Sequence, residues 1–171
     1  PFMARFGIVN RLDYYNPAEL ERIIVRNAAL LEVAITAEGA RELASALLYA
    51  LEHIGHCSQC RTLTEGSLCP VCANPRRERS LLCVVETPAE AHAIDQATGF
   101  QGVFFVLNGR LSPLDGIGPS ELRLDLLDQR LKSGEVSEII LATNTTVEGE
   151  ATAHYVYEMA RQHGVTTTRL A

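Results

Sequence analysis

Four of the chain's five cysteines fall within one short run, CSQCRTLTEGSLCPVC, as Cys57, Cys60, Cys69 and Cys72. Two C-x-x-C pairs separated by eight residues form a chelating pattern. Each pair grips from a tight turn, and the loop between them, with Gly66 and Pro70, lets the pairs face one another. Thiolate is a soft donor, and Zn²⁺ accepts four of them in a tetrahedral shell without any redox change. Such a closed shell leaves no position for water, so the chemistry predicted here is structural. Two disulfides or a redox pair are the alternatives, and neither is favoured in a chain with no signal peptide or other secretory cue. His53 and His56 lie close by but are surplus to a complete shell, and Cys83, inside an apolar run, reads as a small core residue.

Two further groups carry chemistry. Glu86 ends the apolar run LLCVVE, and a second loop, Thr143-Asn144-Thr145-Thr146-Val147-Glu148, holds one more carboxylate. Two carboxylates among neutral neighbours predict only weak Mg²⁺ binding, unsuited to two-metal phosphoryl chemistry. Asn144 and Glu148 either order the loop and cap the helix after it or contact a partner. Arg76, Arg77 and Arg79 form the basic cluster of a chain whose formal net charge is −6. An acidic chain has the wrong sign for a global attraction to nucleic acid, so any phosphate contact must be local, and this triplet offers it. A solvated face is the plainer role.

The elements that must position these groups are legible from periodicity. Asn16, Pro17 and Glu19 predict a capped helix start, with Leu20, Ile23, Ile24, Ala28 and Leu31 on one face. A second helix begins at Thr36, and Ala40, Leu43, Leu47, Ala50 and Ile54 form a stripe running into the first cysteine pair. A strand is expected around Phe6–Tyr14. Beyond the cysteines, the runs 81–86, 103–107 and 138–143 and the segment VTTTRL alternate with helices at 88–98, 120–132 and up to about His163. Runs apolar throughout imply strands buried on both faces, hence a mainly parallel four-stranded sheet flanked by helices, an α/β fold. Sites in such sheets lie at the carboxyl ends of strands, where Glu86 and the loops after Leu107 and Thr143 fall. No run is long and apolar enough to span a bilayer, so no membrane is expected and the cytoplasm is the expected compartment.

From about Leu43 onward the stretches IGHCSQCRTLTEGSLCPVCANPRR, LLCVVETPAEAHAI, GRLSPLDGIGP and ILATNTTVEGEATAHY closely resemble the bacterial RecR family of recombination mediators. The resemblance implies a four-cysteine zinc module followed by a Toprim domain, the α/β fold shared with topoisomerases and primases. Catalytic Toprim proteins add a D-x-D motif to the glutamate; here Glu86 is kept and the loop at Asn144 is neutral, so nuclease, topoisomerase and primase activity are not expected. What the resemblance implies instead is a non-enzymatic DNA-repair role, with gapped or double-stranded DNA, a RecO-like mediator and other copies of the chain as partners. Thr145, Asn108 and Arg110 depart modestly from the family pattern.

The first 40 or so residues, RFGIVNRLDYYNPAELERIIVRNAALLEVAITAEGARELA, resemble a different family, the RuvB branch-migration motors. In that family the arginine of R-F-G acts on a neighbour's nucleotide, which would be Arg5 here. The chain has no G-x-x-x-x-G-K-[ST] phosphate loop, so ATPase activity is not expected and Arg5 reads as a solvated side chain. The P-G-V/I-G hairpin with which RecR proteins grip DNA, and their Gly-rich assembly segment, do not occur in the sequence. The expectation is a hybrid with a RuvB-like segment at 1–43, a connecting helix at 44–56, the zinc module at 57–78 and the Toprim domain at 79–171. A metal-dependent Toprim nuclease or phosphotransferase, and a folded chimera that has lost DNA binding and ring assembly, are the alternatives.

Overall fold

The computed structural model describes residues 15–170; the strand expected at Phe6–Tyr14, and Arg5, lie outside the described residues. The chain divides into two compact units, Pro1–Ile54 and Gly55–Ala171.

In the first unit, helices α1 (Pro17–Leu30) and α2 (Ala37–His53) pack on each other. The start of α1 is a reciprocal cap: Asn16 Oδ1 accepts from the Glu19 amide at 3.0 Å and Glu19 returns a carboxylate to the Asn16 amide at 2.9 Å. Thr36 caps α2 through the Gly39 amide. The apolar stripes are only partly used. Leu20, Ala40 and Ala44 are buried, whereas Leu31, Leu43, Leu47 and Ile54 are exposed. Among the described residues the seam between the two helices is narrow, and small residues let them approach closely, so the alanines rather than the leucines of α2 occupy it.

The second unit opens with a two-stranded antiparallel ladder, β1 (Gly55–His56) and β2 (Leu63–Thr64), and a one-turn helix α3 (Pro70–Ala73), which carry the cysteines. A four-stranded parallel sheet follows, made of β3 (Glu78–Val85), β4 (Gly102–Val106), β5 (Glu138–Ala142) and β6 (Thr166–Arg169), in the order β4-β3-β5-β6. Helices α4 (Pro88–Thr98), α5 (Leu124–Lys132) and α6 (Val147–Gln162) alternate with the strands. Alternation along β3 sends Leu82 and Val84 to one face and Cys83 and Val85 to the other. The first face, which also carries Phe105 of β4, packs with Leu124, Leu127 and Leu131 on α5 and Ala153, Val156 and Ala160 on α6. The second is covered by Ala91 and Ile94 of α4 together with the four cysteines, so the cysteine module completes the core over that face of the sheet. Burial pushes the Cys83 thiol up to about 12, as befits an inert core residue.

Two boundaries differ from the periodicity. Helix α5 begins at Leu124 rather than near 120, because Arg123 adopts a left-handed conformation (φ 53°) and residues 120–123 form turns. Strand β3 begins earlier than its apolar run, at Glu78, whose amide is held by the Gln101 carbonyl at 2.8 Å.

Candidate metal centre and the neighbouring acidic loop

Cys57 and Cys60 flank the turn between β1 and β2. That turn closes through the Arg61 amide on the Cys57 carbonyl (2.9 Å) and the Cys57 amide on the Thr62 carbonyl (2.8 Å), with Arg61 at φ 65°. Cys69 caps α3 with its own sulfur, which accepts from the Cys72 amide at 3.4 Å, and Cys57 Sγ accepts from the Cys69 amide at 3.3 Å. The four sulfurs lie within 4.8 Å of one another, with Cys60 Sγ and Cys69 Sγ 3.4 Å apart, and each residue is at most 2% exposed. A tetrahedron of Zn–S bonds of about 2.3 Å sets neighbouring sulfurs about 3.8 Å apart, within that envelope. All four thiols are free, so the disulfide alternative is not realised. Two amide donors on sulfur and four soft donors in a buried shell fit a zinc ion.

Protonation at the cluster follows its surroundings. At Cys57 burial works against the thiolate, but backbone hydrogen bonds from Cys60, Cys69 and Gln59 outweigh it and bring the pKa down to about 6. Burial holds Cys69 up at about 11. Cys60 is pushed up as well, first by its hydrogen bond with Cys72 and then by desolvation. A metal cation reverses that balance by binding the deprotonated forms.

Cations surround the cluster. Arg79 donates to the Cys72 carbonyl (3.3 Å) and to Gln59 Oε1 (3.4 Å). Arg130, from α5, donates to the carbonyls of Gln59 and Phe104, both at 3.3 Å. Its desolvation lowers its pKa, and the thiolates of Cys72 and Cys60 work in the opposite sense. Four thiolates on Zn²⁺ carry a net charge of about −2, which two half-buried guanidinium groups offset. His56, exposed, donates from Nδ1 to the Arg61 carbonyl, and His53 bonds the Tyr49 carbonyl; neither joins the sulfurs.

The basic triplet is divided rather than brought together. Arg77 is largely buried, donates to the Phe100 carbonyl at 2.6 Å, and stands 2.5 Å from Asp95 Oδ1, an ion pair without the alignment of a hydrogen bond. Arg79 is turned onto the cysteine module, and Arg76 alone of the three is exposed.

At the carboxyl end of β3, Glu86 is only 5% exposed. Its Oε1 accepts the Asn144 amide at 2.9 Å, and its own amide is taken by Glu90 Oε2 at 2.9 Å. Gly149, in the first turn of α6, is packed against this pair. Glu148 lies in the same turn, and its carbonyl accepts from Thr152 Oγ1 at 2.7 Å. Among the described residues the four cysteines are the one group of three or more potential ligands placed to share an ion; Glu86 and Glu148 form no such group.

Sequence reasoning did not single out Arg61, Arg130, Gly149 or Thr152. Arg61 follows a chelating pair directly, and Gly149 and Thr152 lie within five residues of Asn144 and Glu148 respectively, whereas Arg130 is identified only by partners far away in the chain.

Residues 54–74 match the family model for the RecR four-cysteine zinc finger domain, and residues 80–171 match the Toprim domain. The recombination protein RecR of Methylococcus capsulatus is 68% identical over 134 residues, covering 78% of this chain and 68% of the relative. Recombination proteins RecR of Xanthomonas campestris and Halorhodospira halophila are each 62% identical over 134 residues, covering 78% of this chain and 68% and 67% of those relatives.

Proposed function

The chain belongs to the RecR family of recombination proteins, and we propose that it serves recombinational repair without catalysing a reaction, as a zinc-stabilised module that binds DNA and protein partners. The observation that carries the non-catalytic reading is the state of Glu86. Metal-dependent phosphoryl chemistry needs clustered carboxylates with oxygens free for the ion. Here the carboxylate is buried, one oxygen is spent on the Asn144 amide, and the loop opposite presents Asn144, Thr145 and Thr146. Glu86 and the Asn144 amide thus act as a latch between β3 and the loop before α6, with Glu148 and the exposed part of the loop left for a partner such as a RecO-like mediator.

Plasmid assays test this directly. Supercoiled and nicked DNA with Mg²⁺ or Mn²⁺ should remain uncut, in wild type and in Glu86→Gln alike. Cleavage by the wild type that the substitution abolishes would overturn the reading.

For DNA we propose a local phosphate contact centred on Arg76, because Arg77 and Arg79 are committed inside the fold. Binding of gapped duplex should weaken with salt, and Arg76→Ala should reduce the magnitude of the log–log salt slope by about 0.9, the share of one phosphate contact. An unchanged slope would remove Arg76 from the interface. Residues 1–43 we propose to be the RuvB-like segment of a hybrid with domain limits at 1–43, 44–56, 57–78 and 79–171. In support, the zinc-finger match begins only at residue 54 and the relatives align over 134 of the 171 residues. Self-assembly and a cytoplasmic location complete the proposal, both on family grounds; no helix among the described residues is long and apolar enough to cross a membrane.

A further inference from the structure

Between β4 and α5 the chain makes a loop, 108–121, that contains one 3₁₀ turn, Pro113–Asp115, and the isolated bridge between Ser112 and Ile117. Loops of this length without regular structure are either mobile or held for a purpose. Near its start, the Leu111 amide is held by Thr152 Oγ1 at 2.9 Å. Its first end is also held through the Gly109 amide on the Glu86 carbonyl at 3.1 Å, and one side chain joins the two ends to each other. Arg61 Nη1 donates to the Leu107 carbonyl at 3.1 Å and to the Leu122 carbonyl at 2.5 Å, the residues immediately before and after the loop. Leu107 and Leu122 are buried, so these carbonyls need a partner from within the protein. The guanidinium also sits over the Phe105 ring, 5.9 Å from its centroid. From the same residue, the Arg61 carbonyl accepts from Asn108 Nδ2 at 3.2 Å, tying the first loop residue as well.

Arg61 itself is positioned by the cysteine turn. It follows Cys60, its amide is bonded to the Cys57 carbonyl, and its left-handed backbone is set by that reversal. The adjoining Cys60 carbonyl accepts the Val106 amide at 2.8 Å, at the end of the strand from which the loop departs. A module built of two two-residue strands and one helical turn relies on its metal for order. We infer that Arg61 is a positioning residue that makes the conformation of loop 108–121 conditional on the metal-loaded cysteine module. The loop carries exposed Arg110 and, at its 3₁₀ turn, Leu114, 96% exposed, so the clasp governs how a protruding surface is presented.

Amide exchange of the zinc-loaded full chain, followed residue by residue, tests the clasp in wild type, Arg61→Ala and Arg61→Lys. In Arg61→Ala the amides of Leu122 and Arg123, bonded to the Gly118 and Ser120 carbonyls of the loop, should exchange at least about tenfold faster, the loss expected when a charge-assisted hydrogen bond to a buried carbonyl is removed. The Leu111 amide, held by Thr152, and the Val84 amide within the sheet should keep their protection, and zinc content should stay at one per chain. Arg61→Lys, which retains the charge and donors but not the planar group over Phe105, should be intermediate. Chelating the zinc of the wild type should accelerate the same two amides by a larger factor than it accelerates Val84. Unchanged exchange at Leu122 and Arg123 in Arg61→Ala, acceleration spread evenly through the sheet in that variant, or loss of zinc from it would each overturn the inference. Should Arg61→Ala fail to fold, Arg61→Lys and the chelated wild type decide: loop amides as protected as in the zinc-loaded wild type refute the clasp.

Discussion

Gly149→Ala probes how tightly the acidic loop is closed. A Cβ at this position would stand 2.0 Å from the Asn144 carbonyl oxygen, 2.9 Å from its carbon and 3.0 Å from Glu86 Oε1. A carbon–oxygen contact normally begins at about 3.3 Å, so the first overlap exceeds about 1 Å. Neither obstacle swings aside easily: one is backbone and the other a buried carboxylate already bonded to the Asn144 amide. Alanine is the better helix former by up to about 1 kcal/mol, less so in the first turn. Overpacking costs about 1–3 kcal/mol, and pushing Asn144 away from Glu86 gives up a charge-assisted hydrogen bond of about 1.5 kcal/mol or more. Steric cost wins, and the net loss is about 2–3 kcal/mol. For a domain of this size that is a fall of roughly 10 °C in melting temperature. Thermal and urea unfolding of the zinc-loaded protein measure it, with Glu86→Gln as comparison, because the carboxamide oxygen still accepts from Asn144 and should cost much less. A Gly149→Ala protein melting within about 2 °C of wild type would refute the close packing on which the latch rests.

Other expectations follow from the same geometry. Zinc should be bound at one per chain. Because the thiols must be deprotonated to hold it, its release to a chromogenic chelator should rise as pH falls from about 7 towards 5; release that is independent of pH would argue against thiolate ligation. Arg77→Ala strands Asp95, whose side chain is only 17% exposed, and should cost about 3 kcal/mol in urea unfolding, whereas exposed Arg76→Ala should stay within about 0.5 kcal/mol. Asp128 is held below the usual carboxylate range, first by Lys132 and then by His163. Since its folded pKa is depressed, its contribution to stability is complete above the unfolded value of about 4 and disappears as pH falls through the folded one; Asp128→Asn should flatten the stability–pH curve below about pH 4.

What could be read in advance, and what could not, divides on physical lines. The strands at 81–86 and 103–107 announce themselves because they are buried on both faces for most of their length, and an apolar run is the direct trace of that environment. The run at 138–143 is apolar at its centre although one of its faces is only half-buried. The caps at Asn16 and Thr36 are legible for a similar reason, since donor and acceptor lie three residues apart. The cysteine cluster is legible because chelation imposes its spacing. The arginines are not. Arg76, Arg77 and Arg79 look equivalent in the sequence, yet Asp95, Phe100 and the Cys72 carbonyl separate them. The leucines of α2 mislead in the opposite way: their spacing satisfies a helical stripe, but among the described residues it is Ala40 and Ala44 that are buried while Leu43 and Leu47 are exposed.

The cysteine module is more than a local staple. Strand β4 lies at the edge of the parallel sheet, and an edge exposes unpaired amides that invite association. Here the Cys60 carbonyl takes the Val106 amide, Arg130 reaches from α5 to both the Phe104 and Gln59 carbonyls, and Arg79 joins the start of β3 to the Cys72 carbonyl. Buried cysteines share a core with Val85, Phe104 and Val106. Loss of the metal therefore reaches past the four sulfurs into the carbonyl partners of two arginines and the packing of one sheet face. On this arrangement zinc removal should lower the unfolding temperature of the sheet itself. A sheet whose melting was indifferent to chelation would mean that these contacts, though present, contribute little to holding it together.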